Sequence, residues 1–132
     1  MTQKQRAGDM LIAYLQQKHY AIIVNLPNKP RIMLDDTRGI ELSHTRQTVK
    51  YRMPLFRAQN IRVLFIQYDL IYRGEWDIIE AAIHIFKNVN ADMIFTAQQL
   101  RSMHRLGILN NTNTYISYIS LFGDQNANSC HD

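Results

Sequence analysis

Between residues 76 and 89 apolar side chains occupy most of the circumference of a helix. Trp76, Ile79, Ile83 and Phe86 form one row, and Ile78, Ala82, Ile85 and Val89 form a second. Asp77, Glu80, His84 and Lys87 leave only a narrow polar stripe. A helix that is apolar on most of its faces has to be covered by other elements. The pattern over residues 77–89 therefore predicts the most buried helix of the chain, and the remaining residues must supply its cover.

Residues 3–18 carry Ala7, Met10, Leu11, Tyr14 and Leu15 at helical spacing, with Lys4, Gln5, Asp9, Gln16 and Gln17 largely opposite. This predicts an amphipathic N-terminal helix whose first turn is weakened at Gly8 by about 1 kcal/mol relative to Ala. Residues 19–25 (HYAIIVN) are apolar on both faces, as in a buried strand. Residues 26–30, with two prolines and an Asn, read as a hairpin loop; residues 31–34 return as a strand and 35–39 form a turn. Over residues 47–53 Val49, Tyr51 and Met53 alternate with Thr48, Lys50 and Arg52, which predicts a strand closed by Pro54. Residues 61–72 (IRVLFIQYDLIY) read as the central strand, long enough to require a bulge or an early helix start.

Together these readings predict an α+β fold: an N-terminal helix, a small antiparallel sheet across residues 19–72, and a helical C-terminal portion sharing its core. The expected organisation is a single domain, 1–132. It comprises a basic helix-plus-sheet part (1–72), a helical part (73–122) and a loose, polar tail (123–132).

The chain's 132 residues are 46% hydrophobic and 20% charged, enough apolar material for one core. The single cysteine, Cys130, excludes an internal disulfide and fits a reducing compartment. The N-terminus lacks the apolar stretch of a signal peptide and no run matches a membrane span. The expectation is a soluble, cytoplasmic protein with no membrane partner. Charge is unevenly distributed: residues 1–72 hold 11 Lys and Arg against 5 Asp and Glu, whereas residues 73–132 hold 4 against 6. The net charge of +4 favours acidic partners only mildly.

Thr96 is placed to cap a helix over residues 97–106, Gly107 to stop it, and Asn110, Asn111 and Asn113 to cap a last helix over 114–122. With the helix before it, this three-helix portion (residues 76–121) resembles the bacterial helix-turn-helix and winged-helix transcription regulators. Leu100 and Met103 would pack the first helix, Ile108 or Leu109 the turn, and Ile116 and Ile119 the second helix. The resemblance implies a second helix entering the major groove of duplex DNA. Asn110, Asn111, Asn113, Thr114 and Ser117 would then face the bases, and Arg101 and Arg105 would hold phosphates. The second helix carries no Lys or Arg, and the turn runs a residue or two long. Packing alone is therefore the better-supported reading of the same helices.

A second route to phosphate is the basic stretch Lys29, Arg31, Arg38, Arg46, Lys50, Arg52, Arg57 and Arg62, opposed by Asp35, Asp36 and Glu41. On the strand reading Lys50 and Arg52 share an outward face suited to a phosphate backbone or an acidic protein; an ordinary solvated face is the plain alternative. Catalytic motifs are weak. Cys130, His131 and Asp132 are adjacent on a tail and cannot hold triad geometry. His19, His44, His84 and His104 lack metal-ligand spacing. The expectation is a non-enzymatic regulator without metal or cofactor, binding DNA through Lys50, Arg52, Arg101, Arg105, Asn111 and Asn113, with a homodimer left open. The rival is a protein-binding inhibitor or adaptor that uses the C-terminal helices, where Tyr115, Tyr118 and Phe122 would anchor an interface.

Overall fold

The computed structural model describes residues 2–128. The architecture is α+β, with an N-terminal helix, a four-stranded sheet and a helical C-terminal portion. Helix α1 (Gln3–Gln17) opens on Thr2. The Thr2 hydroxyl accepts the Gln5 N–H at 3.1 Å, and the Gln5 side chain accepts the Thr2 N–H at 3.0 Å. This reciprocal cap offsets the weakness that Gly8 predicts. Gly8 has a steric reason to be there: the Arg31 guanidinium crosses it, and a Cβ would stand 2.6 Å from Arg31 Cζ.

The strands β1 (Ile23–Val24), β2 (Ile32–Met33), β3 (Arg38–Ser43) and β4 (Arg62–Gln67) lie in sequential order. The first two pairings are antiparallel, but β3 and β4 run parallel, in register from Arg38 opposite Arg62 to Ser43 opposite Gln67. A parallel pair needs a crossover, and α2 (Arg46–Lys50) with α3 (Met53–Ala58) supplies it. The sheet is therefore mixed rather than antiparallel.

The strand expected at residues 47–53 is this crossover. Val49, Met53 and Phe56 are buried at spacings of four and three, a helical row, while Tyr51 is 85% exposed. Thr45 caps α2 through the Thr48 N–H, and Pro54 opens α3 instead of closing a strand. The buried strand expected at residues 19–25 is also corrected. Tyr20, Ile22 and Val24 pack against the core, while Ile23 is exposed, so this segment is a half-buried edge of which only two residues pair.

β4 ends at Gln67 and α4 (Tyr68–Tyr72) begins at once, the early helix start that the long apolar run requires. β4 stands last in the sheet, not centrally. Its outer edge bonds the segment at Met93: the Phe65 N–H donates to the Met93 carbonyl and the Met93 N–H to the Val63 carbonyl, both at 2.9 Å. Ile40, Leu42, Leu64 and Ile66 belong to the main core with α1 and α5 (Trp76–Asn88). Val63 and Phe65 belong to a second cluster with Val49, Met53 and Phe56. Both sheet faces are thus covered, and α5 is buried along two rows as its sequence predicts.

Helix α6 (Ala97–Arg105) has the Thr96 cap, completed by Gln99, and stops before Gly107 at a φ of 77°. Helix α7 (Thr112–Asn128) continues past residue 122, so the described part of the expected loose tail is helical in its backbone. Cys130, His131 and Asp132 lie outside the described residues. Among the described residues no helix is long and apolar enough to cross a membrane.

The crossover assignment predicts a contrast between neighbours. In urea unfolding, Phe56→Ala should cost about 3–5 kcal/mol, whereas Tyr51→Ala should stay within about 0.5 kcal/mol of the parent. A large loss at Tyr51 would restore the strand reading.

Candidate anion-binding cleft

The β1–β2 hairpin decides where the basic stretch comes together. Asn25 and Asn28 each adopt a φ of 60°, a left-handed conformation that Asn tolerates. The loop is tied to the end of α3: Lys29 Nζ donates to Gln59 Oε1 at 3.1 Å, and Gln59 Nε2 donates to the Asn28 carbonyl at 2.7 Å. Lys29 and Arg31 are thereby brought beside the first turn of α1 and the start of α3. Lys4, Asn25, Leu26, Lys29, Arg31, Glu41 and Arg52 line one cavity of about 260 Å³. A second cavity of about 560 Å³ is lined by Gln5, Asp9, Asn25 and Arg31, so the two meet at Asn25 and Arg31.

The organising group is Glu41, on β3, whose side chain is only 2% exposed. A buried carboxylate must be paired and hydrogen-bonded. One oxygen accepts the Arg31 backbone N–H at 3.2 Å and the other is ion-paired with Arg52 Nη1. The Arg52 guanidinium also lies 5.0 Å from the Phe56 ring centre, a cation–π contact. Arg31 Nη2 meets Asp9 at 3.3 Å, and among the described residues the buried Arg31 Nε–H has no acceptor. Lys4, Lys29, Arg31 and Arg52 thus converge around one carboxylate.

The expected site residues divide. Arg52 is in the cleft, but as the N-cap residue of α3 and not on a strand face with Lys50, which ends α2. Arg101 is committed elsewhere: its Nε donates to both Glu75 oxygens at 3.0 Å, and its Nη2 pairs with Asp69 and Glu75. The Glu75 and Asp69 hydrogen bonds raise the Arg101 pKa, and the Arg101 bond leads the groups holding Asp69 below the usual carboxylate value. This clamp ties α6 to the region of α4 and α5. Asn111 caps α7, its Oδ1 accepting the Thr114 N–H at 2.8 Å and the Thr114 hydroxyl at 2.9 Å. Arg105 and Asn113 are exposed. Ile116, expected to anchor the last helix, is 47% exposed; Tyr115 is buried in its place.

Sequence reasoning included Lys29, Arg31 and Arg52 in the basic stretch but did not connect Lys4 to them. The available signal was Glu41, an acid flanked by Ile40 and Leu42 in a buried strand. The remaining basic residues include structural ones. Arg38 donates to the Phe86 and Val89 carbonyls at 3.3 and 3.2 Å at the end of α5, and Arg57 lies 3.6 Å from Asp92. Among the described residues no group of three His, Cys, Asp or Glu is placed to hold a metal ion. No family model, curated protein or solved structure matches this chain.

Two measurements follow from these geometries. Arg52→Ala leaves Glu41 buried with one backbone donor, so unfolding free energy should fall by about 1–3 kcal/mol. Asp69, with its folded pKa lowered, contributes stability that is present above its unfolded value of about 3.9 and is lost as pH falls through the folded value. Stability should therefore decline below about pH 4, and Asp69→Asn should remove part of that decline.

Proposed function

We propose that this protein is a small non-enzymatic nucleic-acid-binding regulator that takes hold of phosphate through the cleft between α1, the β1–β2 hairpin and α3, with DNA as its target. The observation that carries the reading is the convergence of Lys4, Lys29, Arg31 and Arg52 around the single buried carboxylate of Glu41. Arranging several cations in one concavity costs self-repulsion, and the low-dielectric walls of such a site focus its field on an anion. The helical portion contributes less to phosphate binding. Arg101 is held by two carboxylates, Asn111 is used as a cap, and α7 has no Lys or Arg. Arg105, Asn110, Asn113 and Ser117 are exposed and are groups of the helix-turn-helix reading still able to touch DNA.

A second reading has its own observation. Leu106 and Tyr118 line one cavity, the Phe122 ring centre lies 5.2 Å from that of Tyr118, and Leu106 and Phe122 are 70% and 43% exposed; adjoining exposed apolar groups mark protein contacts. This favours a protein partner for that end of the molecule, as an inhibitor or adaptor would require.

Fluorescence anisotropy with duplex and single-stranded oligonucleotides across a salt series separates the two. Affinity should fall steeply with salt, and the Lys4→Ala/Lys29→Ala double variant should reduce the log–log slope by about 2. Leu121→Ser should leave it unchanged. Absence of binding at low salt would overturn the nucleic-acid reading and leave the apolar surface as the functional one.

A further inference from the structure

We propose that the cleft is a phosphomonoester site: it receives a terminal phosphate, carried by the end of a nucleic-acid strand or by a free nucleotide, and not the continuous diester backbone. The inference rests on reading the cleft as a phosphate site. Shape is the first argument. The cavity of about 260 Å³ is bounded by the first turn of α1, the hairpin loop, the start of α3 and Glu41 on β3. The volume lies below the roughly 300–1,000 Å³ of sites that enclose a whole small molecule, so a phosphate head enters and the rest of its carrier stays outside. The cavity that shares Asn25 and Arg31, at about 560 Å³, offers the Gln5 and Asn25 amides and the Asp9 carboxylate to the polar groups of that remainder.

Charge is the second argument. Lys4, Lys29, Arg31 and Arg52 stand against Glu41, which pairs with Arg52, and Asp9, which pairs with Arg31. Among the described residues two of these positive charges are left without a carboxylate partner. A phosphodiester brings one negative charge, while a phosphomonoester brings about −1.5 to −2 at neutral pH and three acceptor oxygens. Among the described residues the buried Arg31 Nε–H is a donor without an acceptor, and a ligand oxygen would supply one. Gly8 belongs to the same arrangement, because any larger residue at that point of α1 would displace the Arg31 guanidinium.

The test uses the full chain with four matched single-stranded oligonucleotides, labelled internally: 5′-phosphate, 3′-phosphate, both, and hydroxyl at both ends. A phosphate end should tighten binding about tenfold, as expected for added charge-assisted hydrogen bonds. Lys29→Ala and Gly8→Ala should abolish that advantage, with the helix content of both variants unchanged by circular dichroism. Competition with adenosine 5′-monophosphate and with inorganic phosphate distinguishes the sources. Displacement of the phosphorylated strand by the mononucleotide supports a free-nucleotide site, and resistance to it supports a strand end. Salt-dependent binding that is equal for phosphate and hydroxyl ends would overturn this inference while leaving the nucleic-acid reading in place. If no oligonucleotide binds, that reading fails. Calorimetric titration with the mononucleotide then decides the pocket: binding lost in Lys29→Ala supports it, and no binding overturns it.

Discussion

Parallel pairing of β3 with β4 imposes most of the remaining structure. Two parallel neighbours cannot be joined by a tight turn, so the chain must leave the sheet, travel back along it and re-enter. Here α2 and α3 make that return over one face, carrying Val49, Met53 and Phe56 onto Val63 and Phe65. The opposite face, with Ile40, Leu42, Leu64 and Ile66, is left for α1 and α5. With both faces covered, the strands carry apolar side chains on both sides, which is why RVLFIQ has no polar alternation.

The same crossover creates the cleft. Because α3 starts beside β3, Arg52 reaches Glu41, and because β2 pairs antiparallel with β3, the Arg31 N–H reaches the other oxygen of that carboxylate. A buried acid in a sheet is costly unless its partners are held by the fold. At this position the partners come from the neighbouring strand and from the crossover, and both bring positive charge to one place. The electrostatics of the cleft therefore follow from the topology and do not require a dedicated binding element.

Much of the helical framework is legible in the sequence because its signals are long or local. The two apolar rows of α5 span the whole helix, and Thr96 and Gly107 bracket α6 within eleven positions of each other, within the reach of about three turns. The crossover is misread for the opposite reason. Across residues 47–53 an alternating and a helical pattern share Val49 and Met53, and only Phe56 beyond Pro54 distinguishes them. The pairing direction of β3 and β4 has no local signature at all. The site is legible in part: Lys29, Arg31 and Arg52 stand out as a basic stretch, but Lys4 joins them only through the fold. Conversely, Arg101 resembles a free phosphate contact until its partners are known, and Glu75 and Asp69 lie 26 and 32 residues away.

The central claim is that anions are held at the hairpin and not at α6 and α7. It is tested most directly by a ¹⁵N NMR titration of the protein with a 5′-phosphorylated oligonucleotide, following the backbone amides and the arginine Nε–H signals. The account predicts shifts centred on Asn25, Lys29 and Arg31, with the Arg31 Nε–H moving most among the arginines. Shifts centred on Arg105, Asn111 and Asn113, with the hairpin unmoved, would contradict it.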